Sequence, residues 1–338
     1  MNTRARHAHI DTIKTLATII VMMTHVLAFH LGEYQTWFLW NYSHFVVVGL
    51  VFASAYLYAD AHLTETTRLT VSWFMKRFSR LYIPYLVYLI VHALLMYLFP
   101  YYFTGYGWQK TLQFFIQNLT LLGGVDFGWL PLVFIQLALI LPVLLRVSRN
   151  TKQRTIFCIF ICSFVLITTF VRIPTQYSRL IAWLPWSLIA FLGLLFSDAQ
   201  KNDSIKTYSI LLRSIPFIAG IWIVLRILLL YFGLPTSFDM HKYPPDLSYL
   251  SYGAFFTAIF LLLLNTYSIQ QQTILRIITY ISKQSYQLFF IHFILLDLVM
   301  TRFRSDWIQE SAFVILGSLC VSIGITSIQL RLRKSHSS

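Results

Sequence analysis

Residues 11–30 read DTIKTLATIIVMMTHVLAFH, and between Lys14 and His25 lie ten residues without a charge. A helix at a protein–water boundary keeps a polar face, whereas this run offers little beyond threonine hydroxyls on any side. Its length matches the roughly 20 residues that cross the hydrocarbon of a bilayer. Nine comparable runs follow, over 43–61, 81–99, 128–146, 155–172, 179–197, 209–231, 250–268, 283–301 and 311–330, the opening one covering 12–30. The spacing predicts an all-α, polytopic integral membrane protein of about ten transmembrane helices, read as one domain over 1–338.

Composition agrees, because 57% of the 338 residues are apolar and 11% charged, too few charges to cover such a surface in water. The net charge of +14 would suit a nucleic-acid partner if the cations were clustered, but they alternate with the loops. With the N-terminus inside, Arg4, Arg6, Lys14, Arg68, Lys76, Arg77, Arg80, Arg146, Arg149, Lys152, Arg154, Lys201, Lys206, Arg276, Lys283, Arg331, Arg333 and Lys334 fall on inner segments. Lys110, Arg172, Arg179, Lys242, Arg302 and Arg304 fall on outer ones, so both termini are expected in the cytoplasm and no nucleic-acid partner is expected. Arg4 and Arg6 before an apolar stretch imitate a signal peptide, but no small-residue cleavage site follows, and the stretch is read as the first span. Cys158, Cys162 and Cys320 lie in apolar runs and read as packing residues. The longest outer insertion, 100–127, carries Tyr101, Tyr102, Tyr106 and Trp108 and an amphipathic stretch over 112–122 that suits a membrane interface. Its rings serve either to anchor that interface or to stack on sugars.

Ionisable residues at membrane depth are costly and therefore mark functional candidates. Eleven residues separate Lys14 from His25, about three turns and roughly 16 Å along one face. Imidazole suits removing a proton from an alcohol near neutral pH, and equally suits a packing hydrogen bond to a neighbouring carbonyl. Lys14 either serves the site or extends to the interface. Ser54 and Tyr56 permit close packing of the second span. Lys76, Arg77 and Arg80 precede Pro84, placed in the first turn of the third span; the cations suit phosphate binding or simple retention on the inner side. His292 and Asp297 match the spacing of the His-Asp pair in glycerolipid acyltransferases, but five residues on a helix set them about 140° apart. No phosphate-binding motif accompanies them, and they read as two separate interhelical hydrogen-bonding groups, Asp297 near the outer interface. No serine elbow, metal-ligand cluster or phosphate-cradling glycine loop is present, which leaves a hydrolase or ATP-driven pump without support.

The order of these features resembles the membrane-bound acyltransferase 3 family. Asp11, Lys14 and His25 match its opening motif of an acidic residue, a basic one three positions on and a histidine eleven later. Phe52, Ser54, Ala55 and Tyr56 match its second-span run; Lys76, Arg77, Arg80, Pro84 and Tyr85 its basic stretch; Trp129, Leu130 and Gln136 its fourth span; Ser285, Tyr286, Ile291 and His292 its ninth. Two positions depart: Lys14 stands where the family commonly has arginine, and Ala55 where it has glycine. The compact ten-span form looks most like the membrane protein of the poly-N-acetylglucosamine adhesin system.

The resemblance implies a cell-membrane O-acyltransferase that takes an acetyl or succinyl group from cytoplasmic acyl-CoA, a co-substrate rather than a tightly bound cofactor. The acceptor would be a hydroxyl of a cell-surface polysaccharide or another extracytoplasmic molecule, and no metal is implied. His25 would act as base or transient acyl carrier and Lys14 would orient the donor. Lys76, Arg77 and Arg80 would hold the CoA phosphates, and Ser54, Tyr56, Trp129, Gln136, Ser285, Tyr286 and His292 would line the path. The main rival is a carrier or exporter of a polysaccharide or lipid-linked sugar, which the absence of an internal repeat disfavours; a third is a sensor or scaffold in which the buried histidines are dispensable.

Overall fold

The computed structural model describes residues 8–62, 70–105, 108–109, 111–171, 173–267 and 270–335; Arg4, Arg6, Arg68, Tyr106, Lys110 and Arg172 lie outside them. Among the described residues there are ten helical stretches long and apolar enough to cross a membrane. In chain order the helices are α1 (Ala8–Leu27), α2 (Tyr34–Ser43), α3 (Phe45–His62), α4 (Val71–Leu98), α5 (Leu112–Thr120), α6 (Trp129–Arg149), α7 (Thr151–Phe170), α8 (Thr175–Ile181), α9 (Trp183–Asn202), α10 (Ser204–Tyr231), α11 (Leu247–Thr266), α12 (Gln272–Arg302) and α13 (Trp307–Ser335). The second crossing is α2 with α3, and the sixth runs from Tyr177 in α8 to the end of α9. At the break between α2 and α3 the His44 imidazole Nδ1 bonds the Trp40 carbonyl at 2.8 Å, competing for the acceptor that a continuous helix would give to the backbone N–H of residue 44.

Hydropathy places the crossings correctly but cuts two helices short. α4 begins at Val71, where the Thr70 hydroxyl caps the Trp73 N–H at 3.2 Å, and α12 begins at Gln272. Pro84 therefore lies inside α4 rather than in its first turn. Basic and polar residues are good helix formers, so a helix continues past the point where its apolar stretch ends.

α3 runs through the centre of the bundle. At Gly193 of α9 a Cβ would come within 2.5 Å of the Phe52 carbonyl and 3.2 Å of the Ala55 Cβ, and at Gly253 of α11 within 2.2 Å of the Val48 side chain. Ala55 stands where the family has glycine, and the close approach is supplied from the other helix of the pair. Around this core, α4, α7, α10 and α13 turn exposed apolar side chains outward, among them Ile90, Ile159, Ile227 and Leu316, as a surface solvated by lipid requires.

The bundle has a basic end and a distal end. His62, Arg77 and Arg149 meet at the basic end, with Arg77 Nη2 3.4 Å from His62 Nε2 and Arg149 Nη2 3.5 Å from the His62 carbonyl. Trp129 opens the helix that Arg149 closes, about 30 Å away at 1.5 Å rise per residue. Connections at the distal end are braced by buried polar groups. Asp297 accepts bonds from His92 Nε2 (3.0 Å), Thr104 Oγ1 (3.1 Å) and the Gly105 N–H (2.9 Å). Arg179 donates to the carbonyls of Leu121, Gly123 and Val125 at 3.3, 2.6 and 3.2 Å. The amphipathic stretch after Thr111 forms α5, which buries Phe114 and Asn118 and leaves Leu112, Ile116 and Leu119 exposed.

Candidate active site

A cavity of about 1160 Å³ opens among α1, α3, α4, α6, α12 and α13. From α1 it takes Lys14, Thr18, Val21 and Met22, successive positions on one helical face. From α3 come Ser54, Tyr58 and His62, spaced four apart, and from α4 come Lys76, Arg77 and Arg80. α12 adds Lys283, Ser285, Tyr286 and His292.

The opening motif works as a clamp on α12. Lys14 Nζ donates to the Ser282 carbonyl at 2.9 Å, the Ser282 hydroxyl donates to Asp11 Oδ1 at 2.6 Å, and Thr15 donates to the Ile278 carbonyl at 2.8 Å. These bonds fix the register of α1 against α12, and one turn beyond Met22 they bring His25 onto His292. The two rings stack with centroids 5.0 Å apart, and His25 Nδ1 lies 2.9 Å from His292 Nε2.

The direction of that bond follows from its neighbours. His292 Nδ1 is 3.2 Å from the Leu288 carbonyl, which only accepts, so Nδ1 carries the proton and a neutral ring leaves Nε2 bare. His25 Nδ1 must then donate to it. His25 Nε2 is left with its lone pair, and among the described residues it has no hydrogen-bond partner. One histidine holds the other in the tautomer a general base needs.

At the basic end, Arg77 lies over the rings of Tyr58 (4.6 Å) and Trp73 (4.3 Å), a planar cation between two π faces. Among the described residues Lys76, Arg80 and Lys283 form no ion pair, and all three line the cavity wall. Such an end suits phosphate groups, which Arg binds bidentately and Lys as a point charge.

Of the residues expected at the site, Lys14, Lys76, Arg77 and Arg80 line this cavity together with Ser54, Ser285, Tyr286 and His292 of the expected path, and His25 sits behind His292 without lining it. Three of the expected path do not line it. The Tyr56 hydroxyl donates to Gln200 Oε1 at 2.6 Å on the α9 side of α3, because two residues from Ser54 is about 160° around a helix. Gln136 donates to the Arg179 carbonyl at 3.1 Å, and the Trp129 ring packs near Trp186 and Tyr243 at the distal end. Tyr58, His62, Trp73, Asp11 and Ser282 were not singled out for the site. The repeat of four from Ser54 would have found Tyr58 and His62; Ser282 needed the pairing of α1 with α12, which no local pattern reveals.

No curated protein and no solved structure matches the chain significantly. The family model described as an acyltransferase domain matches residues 7–327, nearly the whole chain and every element of the cavity. The chain belongs to the acyltransferase 3 family, and is a multi-pass membrane acyltransferase.

Proposed function

We propose that this enzyme carries an acyl group, acetyl or succinyl, from acyl-CoA on the cytoplasmic side of the cell membrane to a hydroxyl of a cell-surface polysaccharide or comparable acceptor on the other side. The observation that carries the reading is one cavity lined by Lys76, Arg77 and Arg80 at its basic end and by His292 further in, with His25 bonded behind His292. The positive-inside distribution of Lys and Arg supports a cytoplasmic basic end. Arg77, Arg80 and Lys76 hold the CoA phosphates there, and Lys14 sets a positive charge on the wall between them and His25.

His25 Nε2 takes the proton of the acceptor hydroxyl as its oxygen attacks the thioester carbonyl. The carbon–sulfur bond breaks, and the proton is returned to the departing thiolate. His292 supports the imidazolium by keeping its bond to Nδ1. Family membership favours this transfer over transport of the acceptor.

The test compares wild type with His25→Ala for ester-linked acyl groups on purified envelope polymers and for the amount of polymer exported. Loss of a positioned base costs about 10²–10⁴ in rate, so acyl content should fall to background with export retained. Unchanged acyl content with collapsed export would reverse the assignment in favour of a carrier.

A further inference from the structure

The cavity does not end at the histidine pair. α4 and α12 run side by side in the same direction, since the Tyr286 hydroxyl donates to the Leu81 carbonyl at 2.7 Å and His92 Nε2 lies 3.0 Å from Asp297 Oδ2, each pair 205 residues apart. The same offset sets Val87 level with His292, and both line the cavity. Past that level the wall continues. Val91 and Leu95 of α4 stand one and two turns further from the basic end, beside Ile294 and Leu295 of α12, and all four line the cavity. At 1.5 Å rise per residue this extension reaches about 12 Å beyond His292.

The extension is apolar. Its four side chains are hydrocarbon, and Val91 and the cavity-lining Val321 of α13 keep 39% and 42% of their surface uncovered. Tyr88 lines the cavity as well, but its hydroxyl is already engaged. The Asp297 carboxylate, which also accepts from Thr104 and the Gly105 N–H, holds the His92 proton on Nε2, so Nδ1 accepts from the Tyr88 hydroxyl at 2.7 Å. The Tyr88 ring stacks on Phe290, another lining residue, with centroids 5.4 Å apart. The cations of the cavity lie the other way. Lys14 bonds the Ser282 carbonyl, about 15 Å nearer the basic end than His292, and Arg80 precedes Val87 by about 10 Å along α4.

With the CoA phosphates at the basic end and the thioester at the histidine pair, the carbons beyond the thioester carbonyl lead into this extension. We propose that Val91, Leu95, Ile294 and Leu295 form the slot for the donor's acyl chain, so that neutral, unbranched acyl groups longer than acetyl are the best-bound donors and succinyl is disfavoured. Each methylene that leaves water for such a wall is worth roughly fourfold in affinity. A succinyl carboxylate would lose its hydration there among hydrocarbon side chains, with the lining cations of the described residues a turn or more behind it. The inference rests on the transfer reading above and narrows its donor.

The test uses the full-length protein in detergent, without acceptor, and measures displacement of radiolabelled acetyl-CoA by unlabelled acetyl-, octanoyl- and succinyl-CoA. For wild type, octanoyl-CoA should displace at a concentration roughly tenfold or more below that of acetyl-CoA, and succinyl-CoA at one roughly threefold or more above it. Val91→Phe and Leu295→Phe, which fill the slot, should each remove most of the octanoyl advantage. Ile159→Phe, on the outward apolar surface of α7, should keep it. The three wild-type measurements need no variant, so they decide the proposal even where a phenylalanine variant fails to fold. Equal displacement by octanoyl- and acetyl-CoA, displacement by succinyl-CoA at or below the acetyl-CoA concentration, or an octanoyl advantage kept by both slot variants overturns the slot. Absence of displaceable acetyl-CoA binding in wild type overturns the transfer reading instead.

Discussion

At the residue scale the chemistry depends on who donates to whom. In the proposed mechanism His292 is a positioning residue: its Nε2 fixes the His25 tautomer, so removing that acceptor should hurt more than reshaping it. His292→Leu is expected to lower transfer roughly 10²-fold, within the range for a misheld base, while His292→Gln, which keeps an acceptor atom, recovers part of the loss; equal activity of the two variants in a steady-state assay would remove His292 from the mechanism. Arg77 and Arg80 should separate in the same assay. Arg77 fills a slot between Tyr58 and Trp73 that only a planar cation fits, so Arg77→Lys should raise the acyl-CoA KM roughly tenfold and Arg80→Lys much less. Lys14 and His25 were legible because charge inside an apolar run is rare, and Asp11 joined them through the family resemblance. The bonds those residues make to Ser282 and His292 were not, since a hydrogen bond across more than 260 residues leaves no local pattern. Tyr56 shows the opposite limit, a motif residue whose hydroxyl the helical period sends to Gln200 and away from the cavity.

At the scale of elements, helix packing supplies the precision that lipid does not. Gly193 and Gly220 give a paired prediction, because a Cβ at the first would strike the Phe52 carbonyl and at the second would meet nothing within 4 Å. Gly193→Ala should cost about 1–3 kcal/mol through overpacking and lower the Tm in detergent, while Gly220→Ala leaves it level or raises it; matching Tm values would show that α3 and α9 are not in close contact. The ten crossings were readable from hydropathy alone, and their ends were not. α4 and α12 run on past their apolar stretches, so Lys76, Arg77 and Arg80 sit on a helix, in register with Tyr88 and the rest of the wall, instead of in a loop. The break at His44 was equally hidden, since it comes from a side chain competing for one carbonyl.

For the whole molecule, the proposed transfer divides the membrane between two substrates, with the donor at the basic end, the acceptor at the distal end and the histidine pair between. A helix-to-helix clamp by Asp11, Lys14 and Thr15 on α12 keeps the histidine pair at that division. The measurement that tests this most directly is a sided one. The purified enzyme is reconstituted in vesicles, with oriented fractions separated by protease access to the C-terminal segment, radiolabelled acetyl-CoA supplied on one face and a β-linked tetrasaccharide of N-acetylglucosamine on the other. Wild type should form labelled, alkali-labile ester on the sugar only when donor meets the basic end and sugar the distal end, and His25→Ala should form at least a hundredfold less. Ester formation with both substrates confined to the basic face, or undiminished ester formation by His25→Ala, would contradict the account.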